Sequence, residues 1–211
     1  MIRQRLAGLT GLLAACLLVA AGPVNAADTV GKVSRAQGET FAKAPDGNRR
    51  LTGGAIVASD DTLVTLEDSR LAVRLVDGAE LTLGANATLR VNNLVFNQAD
   101  AGQSRLALFA DGALRMITGK INSTTGASVQ VTSPVATLAV RGTDFWTGPI
   151  DGIYGVLLLS GEVNVRTAGG EVTLNEPGTG TNITDAASPP GPASAWAPDK
   201  VARALAAVAF R

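Results

Sequence analysis

The segment LAVRLVDGAELTL, residues 71–83, contains two short apolar stretches on either side of an Asp-Gly pair. The apolar residues alternate with other residues: Leu71, Val73, Leu75, Leu81 and Leu83. A period of two places these side chains on one face of a strand, and Asp-Gly supplies the positive φ angles of a tight turn. The segment therefore predicts a β-hairpin with one buried face.

The same pattern extends over most of the chain. Between Gly31 and Ile183, short apolar alternations are broken by Gly and Asp, and no helical periodicity exceeds two turns. The Asp-Gly pairs at 46–47, 111–112 and 151–152 are interpreted as further turns. The apolar run over residues 135–140 predicts a strand that is buried on both faces. The chain is therefore predicted to be all-β.

A weak internal repeat bears on how the strands are arranged. Residues 69–72, Ser-Arg-Leu-Ala, recur at 104–107, and the Asp-Gly-Ala of 77–79 recurs at 111–113. Nearly equal offsets indicate stacked hairpin units. A rolled β-sandwich and a short β-solenoid are both compatible with this pattern, in a domain over residues 27–183.

The first 26 residues have the composition of an export signal. Arg3 and Arg5 precede an apolar stretch over 6–21, and residues 24–26, Val-Asn-Ala, match the pattern that signal peptidase cleaves. The stretch is shorter than the roughly 20 residues that a membrane-spanning helix needs. We predict a signal peptide over 1–26 and a periplasmic or secreted protein. Alternatively, residues 13–16 resemble a lipobox, in which Cys16 would be lipidated.

The composition changes after Ile183. Residues 184–197 are rich in Pro, Ala and Ser and are predicted to be a linker. A short amphipathic helix is predicted over 198–211, with an apolar stripe of Val201, Leu205 and Val208. A helix this short is marginal alone, so we expect it to dock, either on its own β domain or in a partner's groove.

The composition also limits the chemistry. The chain has no His, and its single Cys lies in the predicted signal peptide, so the commonest general base, metal ligand and thiol nucleophile are absent. We expect a non-enzymatic protein without metal or cofactor. The alternative is a glycan hydrolase using two carboxylates from Asp60, Asp61, Glu67 and Asp68. It is disfavoured because aromatic residues, which commonly line such clefts, make up only 4% of the chain.

The most specific segment is residues 132–145, TSPVATLAVRGTDF. It resembles the signature of the FecR domain, a strand that ends in Val-Arg-Gly-Thr-acid-aromatic, and the resemblance extends over about residues 29–178. It implies a periplasmic all-β domain. The best-known members of that family are membrane-anchored anti-sigma regulators. Here we expect only a signal peptide before the domain and a short helix after it. We therefore expect this chain to share the FecR domain with those regulators but not their anti-sigma function.

The motif residues Arg141, Gly142, Thr143, Asp144 and Phe145 allow a structural and a binding interpretation. Structurally, Arg141 forms a buried ion pair that fixes a chain reversal, Gly142 permits the bend, and Phe145 belongs to the core. Alternatively, Arg141 binds an anionic ligand or a partner's carboxylate.

Two further aromatic residues, Trp146 and Tyr154, are candidates for an exposed binding rim beside the motif, or for packing.

These observations predict an exported, non-enzymatic binding or scaffold module of the bacterial envelope. Its partner is expected to be another envelope protein or a cell-wall polymer. Nucleic acid is not expected, because the 18 basic and 18 acidic residues balance. The alternative function is that of a periplasmic component of FecR-type signalling.

Overall fold

The computed structural model describes residues 28–211 except 46, 98, 124 and 125. The predicted signal peptide and the lipobox cysteine Cys16 lie outside the described residues. Within them the chain forms sixteen strands, two 3₁₀ turns and one α-helix, α1 (Pro198–Val208). The strands are β1 (Thr29–Gln37), β2 (Thr40–Ala44), β3 (Gly47–Arg50), β4 (Ile56–Ala58), β5 (Thr62–Thr65), β6 (Arg70–Leu75), β7 (Glu80–Leu83), β8 (Thr88–Val95), β9 (Arg105–Asp111), β10 (Leu114–Ile117), β11 (Ser128–Thr132), β12 (Thr137–Ile150), β13 (Ile153–Arg166), β14 (Glu171–Leu174), β15 (Thr179–Ile183) and β16 (Ser194–Ala195).

The described strands form one continuous hydrogen-bonded sheet, which bends at the long hairpin of β12 and β13 into two halves that we call the first and the second sheet. In the first sheet the strand order is β3-β2-β5-β8-β9-β11, and it continues into the N-terminal part of β12. In the second sheet the order is β4-β1-β6-β7-β10, and it continues into the C-terminal part of β12. β13 runs beside both parts of β12, and adds β14 to the first sheet and β15 with β16 to the second.

The inner faces of the two sheets enclose one hydrophobic core. Leu63, Leu108 and Leu138 reach it from the first sheet, and Leu81 and Met116 from the second. Burying a Leu side chain stabilises the fold by about 1.5–3 kcal/mol, so these alternating positions dominate the stability of the domain. The arrangement is a rolled β-sandwich, which confirms the all-β prediction.

The outer face of the second sheet carries a smaller apolar cluster beneath α1. Trp146 and Leu157 of the sheet pack with Trp196, Ala204 and Val208. The helix therefore docks on its own domain, one of the two expected sites. Its buried residues are Ala204 and Val208, whereas two members of the predicted stripe, Val201 and Leu205, are only partly buried.

Two polar contacts hold the helix at its flanks. The guanidinium of Arg203 donates to both carboxylate oxygens of Asp151, at 3.0 Å each. The Lys200 ammonium lies 4.1 Å from the centroid of the Trp196 ring and donates to the Asn182 side chain.

The hairpins centred on Asp77-Gly78 and Asp151-Gly152 form as predicted, joining β6 to β7 and β12 to β13. The chain also turns at Asp111-Gly112, but this turn does not join two paired strands as a hairpin would. There the chain leaves the first sheet and enters the second, since β9 pairs with β8 and β11, whereas β10 pairs with β7 and β12.

The prediction of a strand buried on both faces is wrong. From Thr137 to Arg141 burial alternates, because only one face of this part of β12 meets the core. The segment predicted to be a linker contacts the domain at two places. The carbonyl of Ala186 accepts the N–H of Ala168 at 2.9 Å, and Ser194 and Ala195 form β16 against β15.

The internal repeat reflects a shared local contact rather than a solenoid. Ser69 and Ser104 are both buried at the start of a strand, and their hydroxyls accept the N–H of Glu39 and Asn97, at 2.8 and 3.1 Å. The two strands, β6 and β9, lie in different sheets.

Candidate functional site

The FecR-like motif lies at the corner where the β12–β13 hairpin bends from one sheet into the other. The strand pairing shifts register between Arg141 and Asp144. Gly142 and Gly161 have φ angles of +61° and +84°, in the left-handed region that favours glycine. A Cβ atom on Gly161 would overlap the carbonyl group of Gly142. The bend therefore requires glycine at position 161, where a side chain would overlap the facing strand, and favours glycine at position 142 through its φ angle alone.

Thr143 connects the corner to two neighbouring segments of the chain through hydrogen bonds. Its hydroxyl donates to the carbonyl of Glu162 at 3.0 Å, and its N–H donates to the Thr118 hydroxyl at 2.8 Å. The N–H of Thr118 donates in turn to the Thr143 carbonyl at 2.9 Å. The buried polar groups of Thr143 are thereby satisfied, which gives this residue a structural role.

Asp144 makes the ion pair of the motif, and its partner is Arg115 on β10. The Arg115 guanidinium donates to the two carboxylate oxygens, with distances of 3.0 and 2.7 Å. Hydrogen bonding to Asp144 raises the pKa of Arg115, despite the opposing effect of partial burial. This bidentate pair links β10 to the corner from the outer face of the second sheet.

Arg141, by contrast, is exposed. The expectation of a buried ion pair made by Arg141 is therefore wrong. Its side chain points to the outer face of the first sheet, away from the core, because it follows Ala139 on the strand by two residues.

The three aromatic residues near the corner are packed. Phe145 is fully buried in the main core, as predicted. Trp146 is not an exposed rim residue: it has 0% exposure and packs edge-to-face on Trp196, with ring centroids 6.2 Å apart. Tyr154 packs against the main core with its hydroxyl oxygen buried.

A groove of about 280 Å³ opens at the corner. It is lined by Ile117, Thr118, Gly119, Gly142, Thr143, Asp144 and Ser160. Ile117 retains 39% exposure there, and Asp144 is the only charged lining residue. Sequence reasoning did not identify Ile117, Arg115 or Thr118 as parts of this site. It also missed the role of Gly161, for which the only signal was the sequence Gly-Glu-Val after the apolar run of β13. The groove suits an apolar contact better than acid–base chemistry.

The carboxylates considered for glycan hydrolysis are separated by the four-residue strand β5, about 13 Å long. Asp60 and Asp61 precede it, and Glu67 and Asp68 follow it. Asp61 is buried and engaged by Arg49 and by the N–H of Ala58. Among the residues that the structure describes, no group of three or more acidic residues could hold a metal ion.

The family model described as FecR protein matches residues 61–172, which is more than half of the chain. This match contains the whole corner. The chain belongs to the FecR family. No described helix is both long and apolar enough to cross a membrane.

Similar folds occur among solved structures. Two crystal structures of a proposed anti-sigma factor from Parabacteroides distasonis, at 1.65 and 2.50 Å resolution, each superpose with a TM-score of 0.54 and 16% sequence identity. The alignments cover 68% of this FecR-family chain and only 64% and 63% of those proteins. At this identity the likeness shows the fold. The search of curated proteins finds no match.

Proposed function

We propose that this chain is a FecR-type regulatory component of the bacterial envelope, which acts in the periplasm by binding another protein. The observation that carries the proposal is the family match over residues 61–172, whose most specific motif builds the corner and its groove. The fold shared with a proposed anti-sigma factor supports the same class of function. A regulatory role is favoured over a purely structural scaffold on these grounds.

We assign the corner groove of this chain as the surface that binds the partner protein. Ile117 offers an apolar side chain there, and the strands around it are held by Thr143 and by the Arg115–Asp144 pair. Protein interfaces obtain most of their binding energy from a few residues that lose their contact with water, and the exposed Ile117 side chain in this groove is suited to that role. We propose no catalytic role, because the candidate carboxylates lie at opposite ends of β5 and one of them is engaged by Arg49.

The test is deletion of the gene in its source bacterium, followed by transcript profiling. We expect a small, defined set of envelope genes to change and to recover when the wild-type gene is returned. Ile117→Asn should fail to restore them. Val95→Asn should restore them, since Val95 is an exposed apolar residue like Ile117 but lies on the first sheet.

Melting curves of both variants establish that they fold. Unchanged transcripts after deletion would contradict the regulatory role, and full complementation by Ile117→Asn would contradict the assignment of the groove.

A further inference from the structure

The outer face of the first sheet is a surface separate from the corner groove. The second sheet is partly covered by α1, whereas Gln130 and Ala139 at the centre of the first sheet's outer face are exposed. Solvated sheet faces usually carry polar residues, and charged residues are among the types most often exposed. The central row of this face contains no charged residue.

This row crosses six strands in continuous register, and we call it the amide row. Its members are short or carry amide or hydroxyl groups: Asn93, Ala107, Gln130, Ala139, Asn164 and Thr173. With neighbouring strands about 4.8 Å apart, the row is about 24 Å long. The two alanines keep its floor low, so that a linear molecule can lie across the strands.

Arginines flank the amide row on both sides. Arg105 and Arg141 lie two residues from it in their strands, on one side, and both are exposed without an ion pair to another described residue. Arg90 and Arg166 lie on the other side, where Arg90 stands over the Phe109 ring.

Two acidic residues partly offset this charge. Arg166 pairs with Glu171, and Glu162 lies opposite Arg141 in the ladder. Four arginines against two glutamates leave the border positive, in a chain whose formal net charge is zero. The face therefore attracts an anionic ligand.

The chemistry of the row identifies the class of ligand. The main-chain N–H and C=O groups of these strands are used in the sheet ladder, so a peptide would find no partners for its backbone and would bind at an edge instead. Amide side chains donate to and accept from hydroxyl groups, and guanidinium groups bind carboxylates. We propose that the amide row binds an acidic polysaccharide that lies across the strands.

The test measures binding of polygalacturonate to the full chain by calorimetry, with dextran as the neutral polymer. We expect the double variant Arg105→Gln/Arg141→Gln to bind about tenfold more weakly. The matched control is Lys32→Gln/Arg74→Gln, which removes the same charge from the outer face of the second sheet and should leave affinity within about twofold.

A third variant, Ala139→Ile, raises the floor of the amide row without changing charge, and a β-branched residue suits a strand. We expect it to weaken binding about fivefold or more. No binding of polygalacturonate by the wild type, unchanged affinity in Ala139→Ile, or an equal loss in the second-sheet control would each overturn the proposal. Tighter binding of poly-glutamate would overturn it in favour of an acidic protein. Ile117→Asn should keep full affinity, which separates this proposal from the regulatory one.

Discussion

Gly142 and Gly161 face each other where the β12–β13 hairpin bends, and each has a φ angle that other residues rarely adopt. A third glycine, Gly178, has almost the same φ as Gly161, +86° against +84°, but open space around its Cβ position. The comparison separates the cost of backbone strain from the cost of steric overlap at the corner.

We therefore expect Gly161→Ala to destabilise the protein by about 3 kcal/mol or more, because strain and overlap add. Gly178→Ala should lose only about 1 kcal/mol, from strain alone. Urea denaturation of both variants measures the difference. Equal losses would contradict the assignment of the corner as a close backbone contact.

The charged residues of the motif make a second prediction. Arg141→Ala should change the free energy of unfolding by less than about 0.5 kcal/mol, because the side chain is exposed. Asp144→Ala should lose about 1–2 kcal/mol, since it removes a bidentate, partly buried partner of Arg115. Thermal melting distinguishes them, and a larger loss for Arg141→Ala would restore the buried ion pair that the sequence suggested.

Tyr154 is the only tyrosine, so its ionisation can be followed by ultraviolet absorbance. Burial raises the pKa of its hydroxyl above the ordinary value. A raised folded-state pKa contributes stability that is complete below the unfolded pKa, about 10, and is lost as the pH rises through the folded pKa. We expect tyrosinate to appear at higher pH in the native protein than in urea, and coincident titrations would contradict its burial.

At the scale of elements, α1 depends on a few small contacts. Ala204 lies on the face of the helix that packs against the sheet and is fully buried, whereas Ala202, two residues earlier, is exposed. Only Ala204 and Val208 of the helix are buried, so docking has a modest free energy that one unfavourable side chain can exceed. A variant that undocks the helix therefore loses no more free energy of unfolding than the docking itself contributes.

We expect Ala204→Glu to release the helix, lower the melting temperature by several degrees, about 2 kcal/mol in free energy, and shift tryptophan fluorescence to the red as Trp146 meets water. Ala202→Glu is the control and should leave both properties unchanged. An unshifted spectrum in Ala204→Glu would show that α1 does not cover Trp146.

At the scale of the whole molecule, β12 and β13 belong to both sheets, and the core between the sheets is shared. If either sheet unfolded, the inner face of the other sheet would be exposed to water. Both tryptophans, Trp146 and Trp196, lie in the outer cluster of the second sheet, so fluorescence reports that sheet, whereas circular dichroism reports all strands.

We predict coincident urea transitions by fluorescence and by far-ultraviolet circular dichroism, as expected for one cooperative unit. A fluorescence transition at lower urea than the dichroism transition would show that the second sheet, or the docked helix, opens on its own.

Local patterns were sufficient for much of this architecture. Alternation around Asp77-Gly78 predicted the β6–β7 hairpin, Pro198 and Asp199 predicted the start of α1, and residues 132–145 predicted the family. Each of these depends on neighbours within a few residues, where period and turn chemistry act directly.

The tertiary structure decided which strands meet and which charges pair. Asp111-Gly112 has the same composition as a hairpin turn, yet it carries the chain into the other sheet. Asp144 pairs with Arg115, 29 residues away, and not with Arg141, three residues away. Strict alternation would place Arg141 and Asp144, three residues apart, on opposite faces of β12, whereas the register shift between them leaves both on the outer side. Such choices depend on the packing of distant strands, because the same local pattern satisfies more than one pairing.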